Sequence, residues 1–263
     1  MSNYICGDIH ANYEKLMGVL DKVGFSDSDI LYSVGDICDR GRDSAEVVRF
    51  LRSLGDRFKP VFGNHDIWLY HYLLDTITRD AYDCWMYNGG GKTLNSISVF
   101  DEEEKKATTD WLGSFPYVRY YNDLRIIHSP CFEGCLDKCG DIDTITLENA
   151  VERGLIHDLA YDGFLYDREM LLAEFAEEMY TNKGKEIPWY DSHGKPYNSI
   201  FNKDKKFTVF GHTPLQVGVR VFKGVNGVDI DTGGTFDGCN MTILDLDTME
   251  WTDSSGNKGK VER

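Results

Sequence analysis

Five short runs of apolar and β-branched residues in this chain each stop abruptly on a polar cluster. The runs are Tyr4-Ile5-Cys6, Ile30 to Val34, Pro60-Val61-Phe62, Leu124 to Ile127 and Phe207 to Phe210. The clusters are Gly7-Asp8-Ile9-His10, Gly35-Asp36, Gly63-Asn64-His65-Asp66, His128 and Gly211-His212. Apolar runs this short read as buried strands. Between the first two, Leu16, Val19, Leu20 and Val23 keep the i, i+3, i+4, i+7 spacing of an amphipathic helix, with Asn12 placed to cap it. A second helix is predicted from Ala45, on Val47, Val48, Phe50, Leu51 and Leu54. Strands and helices that alternate in this way build a layered α/β domain. Their polar strand ends gather along one sheet edge, where such folds bind ligands.

After Val217 the pattern changes to strands with little helix between them, around Val219 to Phe222, Val228 to Ile230 and Met241 to Leu246. This predicts a second, mixed sheet. No repeat or linker divides the chain, so residues 1–252 are expected to form one domain. Residues 253–263 are polar and contain glycine, and are expected to fray as a flexible tail.

The formal charge of −16 sets the overall field against a nucleic-acid partner, whose phosphates are bound largely by Lys and Arg. A phosphate ligand is still compatible with that charge if bound divalent cations reverse the field locally. No apolar run is long enough to span a membrane and the first residues lack a leader pattern, so a cytoplasmic protein without a membrane partner is expected. The seven cysteines, an odd number without C-x-x-C spacing, fit free thiols in a reducing compartment.

The strand-end residues have the composition of a two-metal hydrolytic site. Such a site needs two cations, a carboxylate bridging them, and imidazole or amide ligands to complete each shell. Asp8 and His10 are two apart on an extended turn and can point the same way, and Asp36 can bridge to a second ion held by Asn64, His128 and His212. Taken alone, a Gly-Asp or Gly-His pair is an ordinary strand-to-loop turn. Five such ends in order are not.

The stretches GDIH at 7–10, GDICDRG at 35–41, GNHD at 63–66, His128 after its apolar run and GHTP at 211–214 together resemble the phosphoprotein phosphatases. These are calcineurin-like metallophosphoesterases, and the likeness is to their bacterial and bacteriophage lambda-type branch. The stretch WMYNGGGKTLNS at 85–96 is similar to a W-x-x-N-G-G segment of the bacterial members. The resemblance implies an α-β-β-α sandwich with two mixed sheets flanked by helices. It implies that Asp8, His10 and Asp36 bind one metal ion and that Asp36, Asn64, His128 and His212 bind the other. It implies His65 as general acid oriented by Asp39, and Arg40 as a phosphate ligand. A second phosphate-binding arginine is expected at Arg168, in a stretch similar to the family's W-N-R-E, with Arg153 as its competitor.

The implied reaction is hydrolysis of phosphomonoesters, above all phosphoserine and phosphothreonine in proteins, by in-line attack of a metal-bridging hydroxide. The implied cofactors are two divalent ions, Mn²⁺ in the first place and Fe or Zn as alternatives. Hydrolysis of diadenosine tetraphosphate or a related nucleotide shares the same motifs and is the alternative. A metal-dependent phosphodiesterase or nuclease comes third, since the DRG element and the acidic composition speak against it.

Ala11 and Asp66 depart from the family's usual Gly and Glu without removing a ligand. Gly89 to Thr93 imitates a phosphate-binding P-loop, but Met86 stands where that motif needs glycine, and Tyr82 to Tyr87 makes a poor strand. Cys131, Cys135 and Cys139 are spaced by four yet lack a fourth ligand pattern, so reduced thiols are expected there. The long intervals 128–168 and 183–206 leave substrate choice open.

Overall fold

Ile5 packs into one core and Cys6 into another, because successive residues of a strand face opposite sides of the sheet. Their strand is β1 (Asn3–Cys6). The structure, a computed structural model, describes residues 1–129, 145–146, 206–215, 218–222 and 226–263. In chain order β1 is followed by α1 (Tyr13–Lys22), β2 (Ile30–Ser33), α2 (Ser44–Ser53), β3 (Phe58–Pro60), α3 (Asn64–Leu73), α4 (Arg79–Tyr87), α5 (Gly90–Ser96) and α6 (Glu102–Gly113). Then come β4 (Pro116–Tyr121), β5 (Leu124–Ile127), β6 (Ile145–Thr146), β7 (Phe207–Phe210), β8 (Arg220–Phe222), β9 (Gly227–Asp229), β10 (Thr242–Asp245), β11 (Glu250–Asp253) and β12 (Lys258–Lys260).

The expected α/β architecture of two mixed sheets flanked by helices is present. One sheet has the order β12-β11-β10-β1-β2-β3 and the other β6-β4-β5-β7-β9-β8. Strands β1, β2 and β3 are mutually parallel, as are β5, β7 and β9. The core that contains Ile5 joins residues of both sheets, among them Val34, Val61, Ile126, Val209, Val228 and Leu244. The other core takes the apolar faces of α1 and α2 through Leu16, Val19, Val47 and Leu51. Strands covered on both faces read as unbroken apolar runs, which is why the parallel ones were legible. Helix α1 is capped as expected, with the Asn12 side chain accepting from the Lys15 amide at 3.2 Å.

Three expectations need correction. Strand β3 ends at Pro60, and Val61 and Phe62 carry the chain onward to Gly63. Strand β10 does not join the second sheet: it pairs antiparallel with β1, Leu244 opposite Ile5, because its apolar side completes the core between the sheets. The tail is not frayed at 258–260. Strand β12 closes the sheet edge on β11, a Cβ at Gly259 would run into the Trp251 indole, and Val261 is buried beyond it.

Candidate dinuclear metal site

The carboxyl ends of the parallel strands converge, and the polar clusters converge with them. The first two loops are zipped together by backbone bonds from Ile9 and His10 to the Asp36 carbonyl, at 3.0 and 2.8 Å, and from Ala11 to Ile37 at 2.9 Å. This forces His10, Ala11, Asp36, Asp39 and Arg40 into left-handed backbone conformations, as the fourth and fifth strand ends do for His212. Six of the ten such non-glycine residues described in the chain therefore lie at this site. Strain concentrated in that way is characteristic of functional loops. Glycine is required at 63 and 211 for space: a Cβ there would collide with the carboxylates of Asp36 and Asp8 respectively.

Asp36 stands between two groups of ligand atoms. Its Oδ2 lies 3.5 Å from His10 Nε2, and its Oδ1 lies 3.5 Å from His128 Nε2. On the first side Asp8 Oδ2 is 3.8 Å from His10 Nε2. On the second, Asn64 Oδ1, His128 Nε2 and His212 Nδ1 lie within 3.0 to 3.1 Å of one another. His10 Nδ1 is held by the Cys38 carbonyl at 2.9 Å and His128 Nδ1 by the Val34 carbonyl at 2.7 Å. A carbonyl only accepts, so both rings carry a proton on Nδ1 and turn Nε2 inward. Carboxylate, amide-oxygen and imidazole lone pairs thus converge on two centres in a buried setting. That arrangement fits divalent cations: ligand atoms of His10, Asp36 and His65 on one side, and of Asp36, His128 and His212 on the other, lie within 4.8 Å of one another, with Asp8 beside the first group and Asn64 beside the second.

The electrostatics follow from this crowding. Burial, opposed by Asp36, holds the His10 imidazole well below the usual histidine range. Burial alone would raise Asp36, but His128, His65, His10 and Arg40 outweigh it and keep its carboxyl below the usual range. Burial, with Asp231 and Asp36 alongside, pushes Asp8 upward.

Beside the first centre lie the residues expected to handle substrate. Arg40 donates to His10 Nε2 at 2.7 Å and to His65 Nε2 at 3.2 Å. His65 Nδ1 donates to Asp39 Oδ2 at 2.6 Å, and the His65 amide binds Asp36 Oδ1 at 3.0 Å. Arg168 and its competitor Arg153, together with Cys131, Cys135 and Cys139, fall outside the described residues.

Four supporting residues escaped the sequence reading. Trp85 Nε1 donates to Asp39 Oδ2 at 2.6 Å, and Thr93 bonds both the Asp39 carboxylate and its amide. The W-x-x-N-G-G stretch was the available signal, and it proves to be the end of α4 and the start of α5, with Tyr82 to Tyr87 helical. Asp66 accepts from the amides of Asp36, Ile37 and Gly63 at 2.8 to 3.0 Å and so joins the second strand end to the third. Asp231, two residues past β9, is buried next to Asp8, and burial pushes its carboxyl up to about 6. Its signal was a sixth apolar run, Val228 to Ile230, that also stops on a polar residue.

Comparison with known proteins agrees with this geometry. The calcineurin-like phosphoesterase family profile matches residues 1–234. A Shewanella putrefaciens protein named symmetrical bis(5'-nucleosyl)-tetraphosphatase is 47% identical over 186 residues, covering 70% of this chain and 59% of that protein. An Erwinia tasmaniensis protein of the same name is 49% identical over 131 residues, 48% of this chain and 43% of that one. The chain thus spans less than two thirds of the length of these relatives. Among solved structures, one titled a putative diadenosine tetraphosphatase covers 98% of this chain and 92% of its own, with a TM-score of 0.56 at 22% identity. At that identity the likeness is one of fold.

Proposed function

The chain belongs to the calcineurin-like phosphoesterase family, and on that premise we propose that it hydrolyses bis(5'-nucleosyl) tetraphosphates symmetrically, releasing two nucleoside diphosphates. The observation that carries this reading is the 47% identity, over 70% of the chain, to a relative named for that reaction. That identity supports the dinucleotide over the phosphoserine or phosphothreonine protein expected from the motifs. Those motifs surround the metals and the phosphate, which both substrate classes share, so they could not separate the two.

Asp8, His10 and Asp36 would hold one divalent ion, and Asp36, Asn64, His128 and His212 the other. Bound there, the ions would supply Lewis acidity and neutralise phosphoryl charge. The mixed imidazole, carboxylate and amide donors suit Mn²⁺, Fe or Zn, and Mn²⁺ is the proposed ion. Arg40, now spanning His10 and His65, has the planar donor pair needed to grip phosphoryl oxygens. Water adds its oxygen to phosphorus while the bond to the departing diphosphate breaks. His65, fixed through Nδ1 by Asp39, turns Nε2 toward the leaving oxygen and in its protonated form gives it a proton.

The His65–Asp39 pair favours a second reading, hydrolysis of small phosphomonoesters, because an alkoxide leaving group needs that proton more than a diphosphate does. The deciding experiment is chromatography of products from diadenosine tetraphosphate, with a phosphomonoester assayed in parallel. ADP as sole product, lost on chelation and restored by Mn²⁺, is the expected result. AMP plus ATP would refute symmetrical cleavage, and turnover of the monoester alone would establish the second reading.

A further inference from the structure

The strand ends of the two parallel sets supply six loaded positions, and the assigned ligands use five. The sixth is the end of β9. There Asp229 and Asp231 are both buried, and each keeps one carboxylate oxygen, Oδ2, without a hydrogen-bond partner among the described residues. The other Asp231 oxygen is fixed by the Gly233 amide at 2.9 Å, and its own amide is fixed by Asp229 Oδ1 at 2.8 Å, so the side chain is held in one orientation. Gly7, immediately before Asp8, has no room for a Cβ because the Ile230 carbonyl and the Asp231 backbone press against it. The charged neighbours of Asp231 include Asp8, Asp36 and Arg40.

We propose that Asp231 is a seventh metal-site residue, using its unpartnered oxygen to hold the ion at Asp8 and His10 as an additional carboxylate. The proposal rests on the two-ion reading above. An orphaned acceptor pressed among buried carboxylates is costly in the metal-free protein, and a divalent cation on the Asp8 side removes both costs at once. The Asp8 centre otherwise has three protein ligands, one of them shared with its neighbour, against four at the other. A further carboxylate brings the Asp8 centre to the same number of protein donors as its neighbour.

Asp231→Asn tests this, since it keeps shape and the oxygen facing Gly233 while removing the charge. Mn²⁺ binding to chelator-stripped protein is followed by metal analysis and electron paramagnetic resonance, and thermal melting is recorded with and without metal. Wild type is expected to take up two ions with the resonance of a coupled pair. The variant should keep one ion and bind the other 10- to 100-fold more weakly, the range for loss of a supporting carboxylate. Its metal-free form should melt no lower than wild type, because a repulsive buried charge has gone. Asp231→Ser repeats the measurement with a smaller side chain. Two ions bound with wild-type affinity would overturn the proposal. So would a variant that melts lower by the same amount with and without metal, which would make Asp231 purely structural. Wild type that binds no ion would instead overturn the two-ion reading, and this inference with it.

Discussion

Trp85 lies 2.6 Å from Asp39 and donates its indole N–H to the same carboxylate oxygen that holds His65. A buried carboxylate with one imidazole partner would be poorly solvated, and the indole and the Thr93 hydroxyl provide the remaining donors. Trp85→Phe keeps an aromatic side chain but deletes the donor together with the part of the indole packed on Gly90. Loss of a hydrogen bond to a buried charged group costs about 1.5–3 kcal/mol. The expected outcome is that loss in urea denaturation, with metal content unchanged and turnover of an alkyl phosphate reduced. A fully active variant of unaltered stability would show that the contact does not hold Asp39.

Asp36 and Arg40 both approach His10 Nε2, at 3.5 and 2.7 Å, but are assigned opposite tasks. Asp36→Asn removes the charge shared by both centres, so metal analysis should find both ions weakened and activity lost with them. Arg40→Ala should leave both ions bound and raise the KM for any phosphoester. Equal metal loss in the two variants would make Arg40 a structural partner of His10.

How much of this was legible in the sequence depended on where the determinants lie. The six candidate ligand positions are legible because each follows an apolar run at a strand end, a local pattern. Trp85, Thr93 and Asp66 could not, because their roles arise only when α3, α4 and α5 pack against the loop carrying Asp39. Strand β10 was assigned to the wrong sheet for a related reason: its apolar residues fit either side of a core shared by both sheets, and only long-range pairing with β1 decides. Lys258 to Lys260 looked like tail because an edge strand can be polar, and Trp251 in the neighbouring strand is what gives Gly259 its place.

Asp29, remote from the site, gives a pH dependence with a definite sign. Burial would raise its carboxyl, but bonds from the Ser2 amide at 2.7 Å, the Ser26 hydroxyl at 2.7 Å and the Ser26 amide at 2.9 Å outweigh burial and lower it. A carboxyl lowered on folding stabilises the native state above its unfolded pKa, about 3.9, and that stability is lost as pH falls through the folded value. Asp29→Asn should therefore be less stable than wild type at pH 7, and the gap should close in acid. Denaturation midpoints from pH 7 downward measure it. A gap that stays constant would mean that packing, not charge, is what Asp29 contributes.

The last prediction separates His65 from the candidate metal ligands that surround it. His65 Nε2 lies 3.9 Å from Asp36 Oδ2 and close enough to the first centre to be mistaken for a ligand. Its Nδ1 bond to Asp39, 2.6 Å long, instead matches a ring poised to carry a proton. A serine-like alkoxide cannot leave without that proton, whereas a nucleoside diphosphate or an activated aryl oxide can leave as an anion. His65→Asn should therefore slow an alkyl phosphate by about 10²–10⁴, the usual range for acid–base catalysis, and slow diadenosine tetraphosphate and an aryl phosphate much less. Asp39→Asn should give the same ordering in milder form, and metal content should stay at the wild-type level in both. A leaving-group series on the metal-loaded variants provides the measurement. Equal losses for every leaving group with metals intact would assign His65 to positioning of phosphate or water, and loss of one ion would make it a ligand after all.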